Sequence, residues 1–382
     1  MFEFAFTEEQ MMLQDMIRDF ATEELKPIAS KIDEDEKIPD HIIQKIAELG
    51  ILGAPYPEEY GGSGFGELGY CIIQEQVARA CMSTATFIGA HVSIGSNAIF
   101  IGGSEELKQK YLTQLTAGEK IAAFALTEQN AGSDAFNLRT KAELDGNHWI
   151  LNGEKLWITN APFADVFSVF ARTRRGITAF VVEKGMEGFS VGADEKKMGI
   201  KGSRTAALTF DNVRVPKENM IGREGHGFLI AMKTLDAGRL GLGAACLGGM
   251  KELLEISTKF AKERKQFDEP IANFQGVQFM LAEMAIKIYS LESVLFRTAY
   301  DYDAKTMIPR QAAIVKYLAS EYAVEVADLA MQVHGGMGFS KEMPIERFYR
   351  DARINKIFEG TNEIQKMIIA RDMIKKNGNW EW

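Results

Sequence analysis

A single glutamate near the C-terminal end of the chain, Glu359, has the surroundings that a general base needs. The apolar pair Ile357-Phe358 precedes it and the Gly360-Thr361 turn follows it. An apolar flank raises the pKa of a carboxyl group, and a glycine lets a ligand approach the backbone closely. The competing interpretation is a plain helix start, where a Glu is also favourable. By itself this stretch favours the helix start, so the choice between the two interpretations depends on other segments of the chain.

Two segments in the middle of the chain have residues that suit a flat heterocycle. Residues 124–134 run from a strand into a turn of small residues, whose amides and hydroxyls suit phosphates and ring heteroatoms. Residues 151–160 place Trp157 and Thr159 on one face of a strand, because side chains alternate with a period of two. An indole beside a hydroxyl can stack on a ring and hydrogen-bond it. A plain β-turn and a core tryptophan are the structural alternatives.

Two further segments combine glycines, aromatic residues and polar groups near helix ends. One holds Arg264 and Phe267 and is followed by Gln275. The other, residues 332–339, ends a helix in glycines, a turn that can bind a phosphate or simply cap the helix. A solvated helix end is the alternative for the first segment.

Composition and motifs exclude several classes of protein. The 382 residues include 44 basic and 53 acidic side chains, for a formal net charge of −9, which gives no support for nucleic-acid binding. The sequence holds no P-loop, zincin, α/β-hydrolase or EF-hand motif. Three unpatterned cysteines and five scattered histidines indicate neither a disulfide framework nor a metal site. We expect no signal peptide, no membrane span and a reducing, cytoplasmic location.

Hydrophobic periodicity divides the chain into three parts. The capping-box pattern from Thr7 to Gln10 opens a helix, and Leu13, Ile17, Phe20 and Leu25 fall on one face of it. Further helices are predicted at 42–49, 70–79, 84–100 and 105–115. Strands are predicted at 138–144, 148–151, 165–172, 177–183 and 205–210, with a hairpin turn at Asp145-Gly146-Asn147. Long helices follow at 232–247, 251–264, 274–301, 308–333 and 363–376.

The predicted fold class is α+β. An N-terminal helical domain (1–118), a β-barrel-like middle domain (119–227) and a C-terminal four-helix bundle (228–382) follow one another. The segment from 232 to 249 carries five glycines, which are costly in a helix. We therefore infer that something packs very close to its backbone, either a ligand or another helix.

Two longer motifs, with the stretch around Glu359, resemble the acyl-CoA dehydrogenase family. The first reads Ala125-Leu126-Thr127-Glu128-x-x-Ala131-Gly132-Ser133-Asp134. The second reads Gln332-x-x-Gly335-Gly336-x-Gly338-Phe339-x-x-Glu342-x₄-Arg347-x₃-Asp351. The resemblance spans essentially the whole chain and implies the helical, β and helical domain order of that family.

The resemblance implies a non-covalently bound FAD between the middle domain and the C-terminal bundle. The positions that match flavin contacts of the β domain are Phe124, Leu126, Thr127, Ser133, Trp157 and Thr159. Two more FAD positions, Thr361 and Glu363, follow the candidate base. The positions that match contacts to the FAD of a neighbouring subunit are Arg264, Phe267, Gln275, Gln332, Gly335 and Gly336. A homo-oligomer, usually a tetramer, is therefore implied.

The resemblance also implies the substrate and the reaction. Ser133, Asp236 and Arg239 match contacts to the CoA tail, and Gly360 lies beside the thioester. Glu359 would remove the α-proton while the flavin takes the β-hydrogen, giving a trans-2-enoyl-CoA in fatty acid β-oxidation. An electron-transferring flavoprotein usually reoxidises the flavin. Some members carry the base on the glycine-rich helix, where this chain has Gly238, so Glu359 is the one matching candidate.

The length of the acyl chain is predicted from residues 88–98, which resemble the very-long-chain members where the family closes its acyl pocket. Gly95 and Ala98 are small and predict depth for a medium or long straight chain. An acyl-CoA oxidase that uses oxygen is one alternative, although such oxidases are usually much longer. A non-catalytic member of the fold that acts in assembly or nucleic-acid binding is the other, and the negative net charge argues against it.

Overall fold

A computed structural model describes residues 6–306 and 308–378. Trp380 and Trp382, in the polar tail noted in the sequence, lie outside the described residues, as do the first five residues of the chain. In chain order the described part forms a group of helices, one large sheet and a second group of helices. This order agrees with the predicted α+β fold class.

Seven α-helices make up the first part. They are α1 (Glu8–Phe20), α2 (Ala29–Asp35), α3 (Asp40–Glu48), α4 (Gly66–Ala80), α5 (Met82–Gly89), α6 (Asn97–Gly102) and α7 (Glu105–Thr116). The predicted capping box is confirmed, because the Thr7 hydroxyl accepts from the Gln10 amide and the Gln10 side chain accepts from the Thr7 amide. The predicted apolar face is buried, with Ile17 and Leu25 fully inaccessible.

The segment predicted as one helix over 84–100 is interrupted. Between α5 and α6 the chain forms a π-helical turn, Ala90–Ser96. This whole stretch, Met82–Gly102, is long and apolar enough to span a membrane by length and composition, but 67% of its most apolar window is buried inside the protein. A buried helix at the centre of the fold explains the apolar composition.

Eight strands form one mostly antiparallel sheet in the middle of the chain. They are β1 (Ala122–Ala125), β2 (Lys141–Asp145), β3 (His148–Thr159), β4 (Val166–Thr173), β5 (Gly176–Glu183), β6 (Phe189–Asp194), β7 (Thr205–Pro216) and β8 (Met220–Ile221). The order across the sheet is β6-β7-β3-β2-β4-β5-β8, and β1 pairs with β4 in parallel. The predicted hairpin is confirmed by the pairing of Asp145 with His148. Strand β3 continues far beyond the predicted end at Leu151, up to Thr159.

The C-terminal part begins with one very long helix. Helix α8 runs unbroken over Gly227–Glu263, where the sequence predicted two helices separated near Gly248-Gly249. Its glycines allow neighbouring helices to pack close to the backbone of α8. A Cβ at Gly243 would lie 2.6 Å from Val315, and a Cβ at Gly241 would lie 2.6 Å from Tyr70. Tertiary packing therefore outweighs the low helix propensity of glycine.

A short hairpin and five more helices complete the chain. They are β9 (Lys265–Gln266), β10 (Glu269–Pro270), α9 (Gln275–Asp303), α10 (Pro309–His334), α11 (Gly336–Phe339), α12 (Ile345–Ala352) and α13 (Asn362–Lys375). Helices α8, α9 and α10 share one apolar core with Leu240, Leu291 and Val315 at its centre. The turn that carries Glu359 leads into α13, which packs on α10.

Candidate active site

A cavity of about 740 Å³ opens where the sheet and the two groups of helices meet. Its wall comes from α4, α5, the π-helical turn, β1, β3, α8, α13 and the turn before α13. Nine residues predicted from sequence to serve one site line it: Phe124, Leu126, Thr127, Ser133, Trp157, Thr159, Arg239, Glu359 and Gly360. Residues more than two hundred positions apart in sequence thus form one chamber.

Glu359 reaches this chamber from a turn with unusual backbone geometry. Its φ is 55° and that of Gly360 is 93°, both in the left-handed region. For a residue other than glycine this region costs about 1–2 kcal/mol, so neighbouring groups must hold the turn in place. Burial raises the pKa of Glu359 to about 7, while the charges of Arg239 and Lys316 oppose that rise. A carboxyl group with such a pKa can take up a proton near neutral pH.

The carbonyl groups of the turn at Glu359 are hydrogen-bonded within the described residues, but its amide is not. Gln365 Nε2 donates to the Gly360 carbonyl at 2.9 Å and to the Glu359 carbonyl at 3.3 Å. Arg239 Nε donates to the Glu359 carbonyl at 3.4 Å. Within residues 6–306 and 308–378, the Glu359 amide has no hydrogen-bond acceptor. That N–H can therefore donate to an oxygen atom of a ligand in the cavity.

Helix α8 supplies both a charge and an open space beside the carboxylate. Arg239 is nearly buried and pairs with Asp236, whose carboxylate lies 2.7 Å away. Burial raises the pKa of Asp236 to about 6, against the opposing charge of Arg239. Asp236 itself lies behind Arg239 and is not part of the cavity wall. A Cβ at Gly238 would lie 2.7 Å from Glu359 Oε2, so this glycine gives the carboxylate its room.

The opposite wall of the cavity carries the residues that suit a flat ring. Strand β3 has a bulge between Lys155 and Ile158, where Trp157 adopts a φ of 59° and leaves 54% of its surface exposed. The Thr127 carbonyl accepts from the Leu156 amide at 2.9 Å, which ties the end of β1 to this bulge. Trp157 and Thr159 both line the cavity, and so does the intervening Ile158, because the bulge breaks the regular alternation of the strand.

Three hydroxyl groups on this wall have no partner among the described residues: those of Thr127, Ser133 and Thr159. An exposed indole, unpaired hydroxyls and a deep apolar chamber are what a flavin ring system needs. The residues present therefore fit the FAD that the sequence predicted. No group of three or more His, Cys, Asp or Glu side chains within the described ranges could hold a metal ion.

A buried ion pair supports the flavin wall from behind and was not predicted. Lys155 is 1% exposed and donates to the Leu126 carbonyl at 3.0 Å and to Glu128 at 2.8 Å. Glu128 also accepts from the amides of Arg139 and Thr140. Burial lowers the pKa of Lys155 to about 8, and the charge of Glu128 opposes this change. Lys155 falls on the same alternating positions of β3 as the buried Trp149 and Leu151, and this spacing was the signal available in the sequence.

Six predicted cofactor residues lie elsewhere, on what we call the far-end surface. They are Arg264, Phe267, Gln275, Gln332, Gly335 and Gly336, and all six are exposed. A stack of Phe260 on His334, with ring centroids 4.4 Å apart, brings the end of α8 next to the end of α10. Arg264 follows Arg239 by about 25 residues along α8, which is roughly 37 Å. These residues cannot reach the cavity of their own chain.

Two other predicted cofactor residues flank the base without lining the cavity. The Thr361 hydroxyl caps α13 by accepting from the Ile364 amide at 3.4 Å. Glu363 is exposed in the first turn of that helix. Both positions belong to the helix start that was the competing interpretation of this stretch, so the stretch serves as a helix start and as part of the cavity.

The residues predicted to give the acyl pocket its depth do not line the cavity. Gly95 packs on β1, where a Cβ would lie 2.8 Å from that of Ala122, and its carbonyl accepts from Ser168 at 2.9 Å. Ala98 is fully buried in the core. Their small size thus serves packing, and that part of the prediction is wrong. Other small residues, Ala85, Gly89 and Ala90, line this end of the cavity.

Comparison with known families identifies matches along nearly the whole chain. Residues 7–119 match the model of the acyl-CoA dehydrogenase N-terminal domain. Residues 123–213 match the middle domain and residues 225–374 the C-terminal domain of the same family.

Individual relatives agree with this result. The short-chain specific acyl-CoA dehydrogenase of Clostridium acetobutylicum is 44% identical over 373 residues, covering 96% of this chain and 98% of that protein. A chain in the solved structure described as the electron transferring flavoprotein of Acidaminococcus fermentans is 41% identical, with a TM-score of 0.96 over 98% of this chain and 100% of that one. The Bacillus anthracis acyl-CoA dehydrogenase complexed with FAD is 40% identical, with a TM-score of 0.92 over 97% and 68% of the two chains.

Proposed function

This chain belongs to the acyl-CoA dehydrogenase family, and we propose that Glu359 is the base that removes the α-proton of its acyl-CoA substrate. Members of the family are FAD-dependent oxidoreductases, and this protein is one of them. The single observation that carries the proposal is the geometry of Glu359. A buried carboxyl group with a pKa of about 7 lies in the same cavity as an unpaired backbone amide.

The chain's own residues divide the work as follows. The Glu359 carboxylate accepts the α-proton, and the Glu359 amide donates to the thioester oxygen as negative charge develops there. Arg239 and Lys316 keep enough of the carboxyl group ionised for this role, because their positive charges oppose the effect of burial. Bound FAD supplies the acceptor for the β-hydrogen. The product is a trans-2-enoyl-CoA.

In this proposal the flavin would be held by the cavity wall that carries Trp157. Trp157 stacks, and the hydroxyls of Thr127, Ser133 and Thr159 provide hydrogen bonds, since these groups lack partners among the described residues. Ser133 and Arg239 also contact the CoA portion. The far-end surface completes the cofactor site of a neighbouring copy, which makes the protein a homo-oligomer, a tetramer by analogy with the family.

The substrate we propose is a straight-chain acyl-CoA of medium or greater length. The cavity runs past Ile94, next to Gly238, and continues along α5 to Gly89, Ala85 and Met82. The distance from Ile94 to Met82 is about twelve helical residues, or roughly 18 Å. The named short-chain relative favours the opposite outcome, a substrate near four carbons in length.

The deciding experiment is anaerobic titration of the purified holoenzyme with acyl-CoAs from butyryl-CoA to palmitoyl-CoA. The flavin absorbance should bleach, and most efficiently with chains longer than butyryl-CoA. Bleaching confined to butyryl-CoA would overturn the proposed chain length. No bleaching with any acyl-CoA would overturn the function itself.

An electron-transferring flavoprotein is the electron acceptor that we propose, supported by the likeness to the Acidaminococcus fermentans structure. Turnover should require that partner and should release little peroxide in air. Rapid peroxide release without an added acceptor would favour the oxidase alternative.

We also propose that the domain boundaries of the chain lie at 118/119 and 227/228, and that the protein is cytoplasmic.

A further inference from the structure

We propose that Lys316 is a positioning residue of this active site, which holds the Glu359–Gly360 turn in its left-handed form. Lys316 lies on α10 and has no exposed surface. Its ammonium group donates to the Gly360 carbonyl at 2.7 Å and to Asn362 Oδ1 at 2.9 Å. The inference depends on the proposed role of Glu359 as the base, and it assigns a function to a residue outside the cavity wall.

Lys316 carries a charged group into the protein interior. A buried ammonium group is unfavourable unless it is paired and hydrogen-bonded, so a lysine at this position needs a specific use. The two acceptors of Lys316 lie on either side of Thr361, one in the strained turn and one in the first residue of α13. One side chain therefore clamps the turn onto the start of the helix.

Neighbouring polar side chains hold this clamp in place. Asn362 is nearly buried, and its Oδ1 also accepts from the Ser320 hydroxyl at 2.9 Å. Its Nδ2 donates to Glu321 at 2.8 Å, and Glu321 accepts from Lys356 at 2.6 Å. Helix α10 thus supplies three polar side chains to the short segment that directly follows Glu359.

Charged and titratable groups surround Lys316. They are Glu359 on the turn, Arg239 and the neutral thiol of Cys246 on α8, and Glu363 on α13. Burial lowers the pKa of Lys316 to about 8, and Glu359 opposes this most strongly. The charges that face Glu359 are those of Arg239 and Lys316, with Glu67 of α4 at longer range. Loss of the Lys316 charge should therefore raise the pKa of Glu359.

The test is proton abstraction measured without hydride transfer. An acyl-CoA with sulfur in place of its β-carbon, such as 3-thiaoctanoyl-CoA, can lose an α-proton but has no β C–H bond to give up. The α C–H bond breaks, the proton passes to Glu359, and the electron pair moves onto the thioester oxygen. In D₂O the returning deuteron labels the α-carbon of the analogue. Mass spectrometry of the analogue, incubated with the holoenzyme, measures the rate at which this deuterium is incorporated.

Two substitutions separate the hydrogen bond from the charge. Lys316→Met removes both, so exchange should slow on the order of a hundredfold, the cost of a small misplacement of reacting groups. Lys316→Gln keeps a donor for Gly360 without the charge. It should recover most of the rate at high pH, while the pH at half-maximal exchange stays above the wild-type value in both variants. Lys141→Met, which removes the charge of an exposed lysine on β2 outside this network, should change neither quantity.

The outcomes are distinguishable. Wild-type rates and an unchanged pH midpoint in both Lys316 variants would overturn the inference. So would a lower melting temperature or FAD content with no shift of the midpoint, because that pattern marks a purely structural residue. If Lys316→Met does not fold, the pH midpoint of exchange in Lys316→Gln tests the inference by itself: a midpoint equal to the wild-type value would overturn it. Glu359→Gln is the reference: exchange as fast as wild type in that variant would overturn the proposed function instead.

Discussion

The cavity and the far-end surface both carry residues that the family resemblance assigns to FAD, but they differ in what surrounds those residues. In the cavity, supporting groups such as Arg239, Lys155 and Lys316 are nearly or fully buried and bonded within the same chain. On the far-end surface, Arg264 and Gln332 are exposed, and Phe267 leaves 90% of its surface accessible. The proton-transfer groups that we propose are thus assembled within one chain, whereas the residues of the far-end surface would act on the cofactor of a partner molecule.

The difference also concerns the backbone. The cavity holds Glu359 and Trp157 at positive φ, and each is fixed by several hydrogen bonds or by a strand bulge. Phe267 and Asp268 also have positive φ, but they lie in an exposed hairpin between β9 and β10. Strain at a site fixed by its surroundings persists because those surroundings impose it, whereas positive φ at both central residues is the ordinary geometry of a two-residue hairpin turn. The two regions should therefore respond differently to substitution.

The largest expected effect is at the base. Glu359→Gln keeps the side-chain shape and removes the proton acceptor, so flavin reduction by a saturating acyl-CoA should slow by about a hundredfold to ten-thousandfold. Stopped-flow absorbance measures this rate, and FAD content should stay at the wild-type level. Glu325→Gln, an exposed glutamate on α10, is the matched control. Near-normal reduction by Glu359→Gln would mean that the cavity is not the site of proton abstraction.

A second, slightly smaller effect is expected from filling the space beside the carboxylate. Gly238→Ala places a methyl group 2.7 Å from Glu359 Oε2 and 2.9 Å from Ile94, so the carboxylate or the helix must move. Helix propensity favours alanine, and any loss therefore reports on the site. We expect the reduction rate to fall on the order of a hundredfold. Gly192→Ala, where a Cβ meets only ordinary contacts, is the control, and equal rates in the two variants would refute this steric role.

The far-end surface should respond through binding. Arg264→Ala removes a donor that we assign to the FAD of a neighbouring copy, and hydrogen bonds from charged groups contribute about 1.5–3 kcal/mol. FAD affinity should therefore fall by roughly tenfold or more, while the rate of the loaded enzyme changes little. Flavin fluorescence during dilution measures this, with Lys265→Ala as the neighbouring control. A wild-type monomer that stays saturated with FAD at low concentration would show that the far-end surface is not needed to bind the cofactor of a neighbouring copy.

The smallest effect is the pH dependence of the wild-type enzyme. Burial raises the pKa of Glu359 to about 7, and only the ionised form accepts a proton. The value of kcat/KM should therefore be half-maximal near pH 7 and should fall about tenfold for each unit below it. The measurement uses substrate well below KM on both sides of that pH. A profile that stays flat down to the ordinary pKa range of a glutamate would show that burial does not control this group.

The sequence alone predicted features that depend on local patterns or on matching motifs. The capping box at Thr7 and the hairpin at Asp145 have signals within four residues, and both are confirmed. The family, the flavin and the order of the three parts followed from two long motifs. Nine of the predicted site residues line one cavity, because the motifs mark the segments that must meet there.

The tertiary structure decided what depends on neighbours that are distant in sequence. Whether the glycines of α8 break the helix or admit another element depends on Val315, Tyr70 and Glu359, and no local pattern contains that information. The small residues Gly95 and Ala98 face β1 and the core instead of the cavity for the same reason. The role of Lys316 is the clearest case. A lysine in an amphipathic helix is normally a solvated side chain, and the role that we propose for Lys316 depends on its burial and on its hydrogen bond to the Gly360 carbonyl.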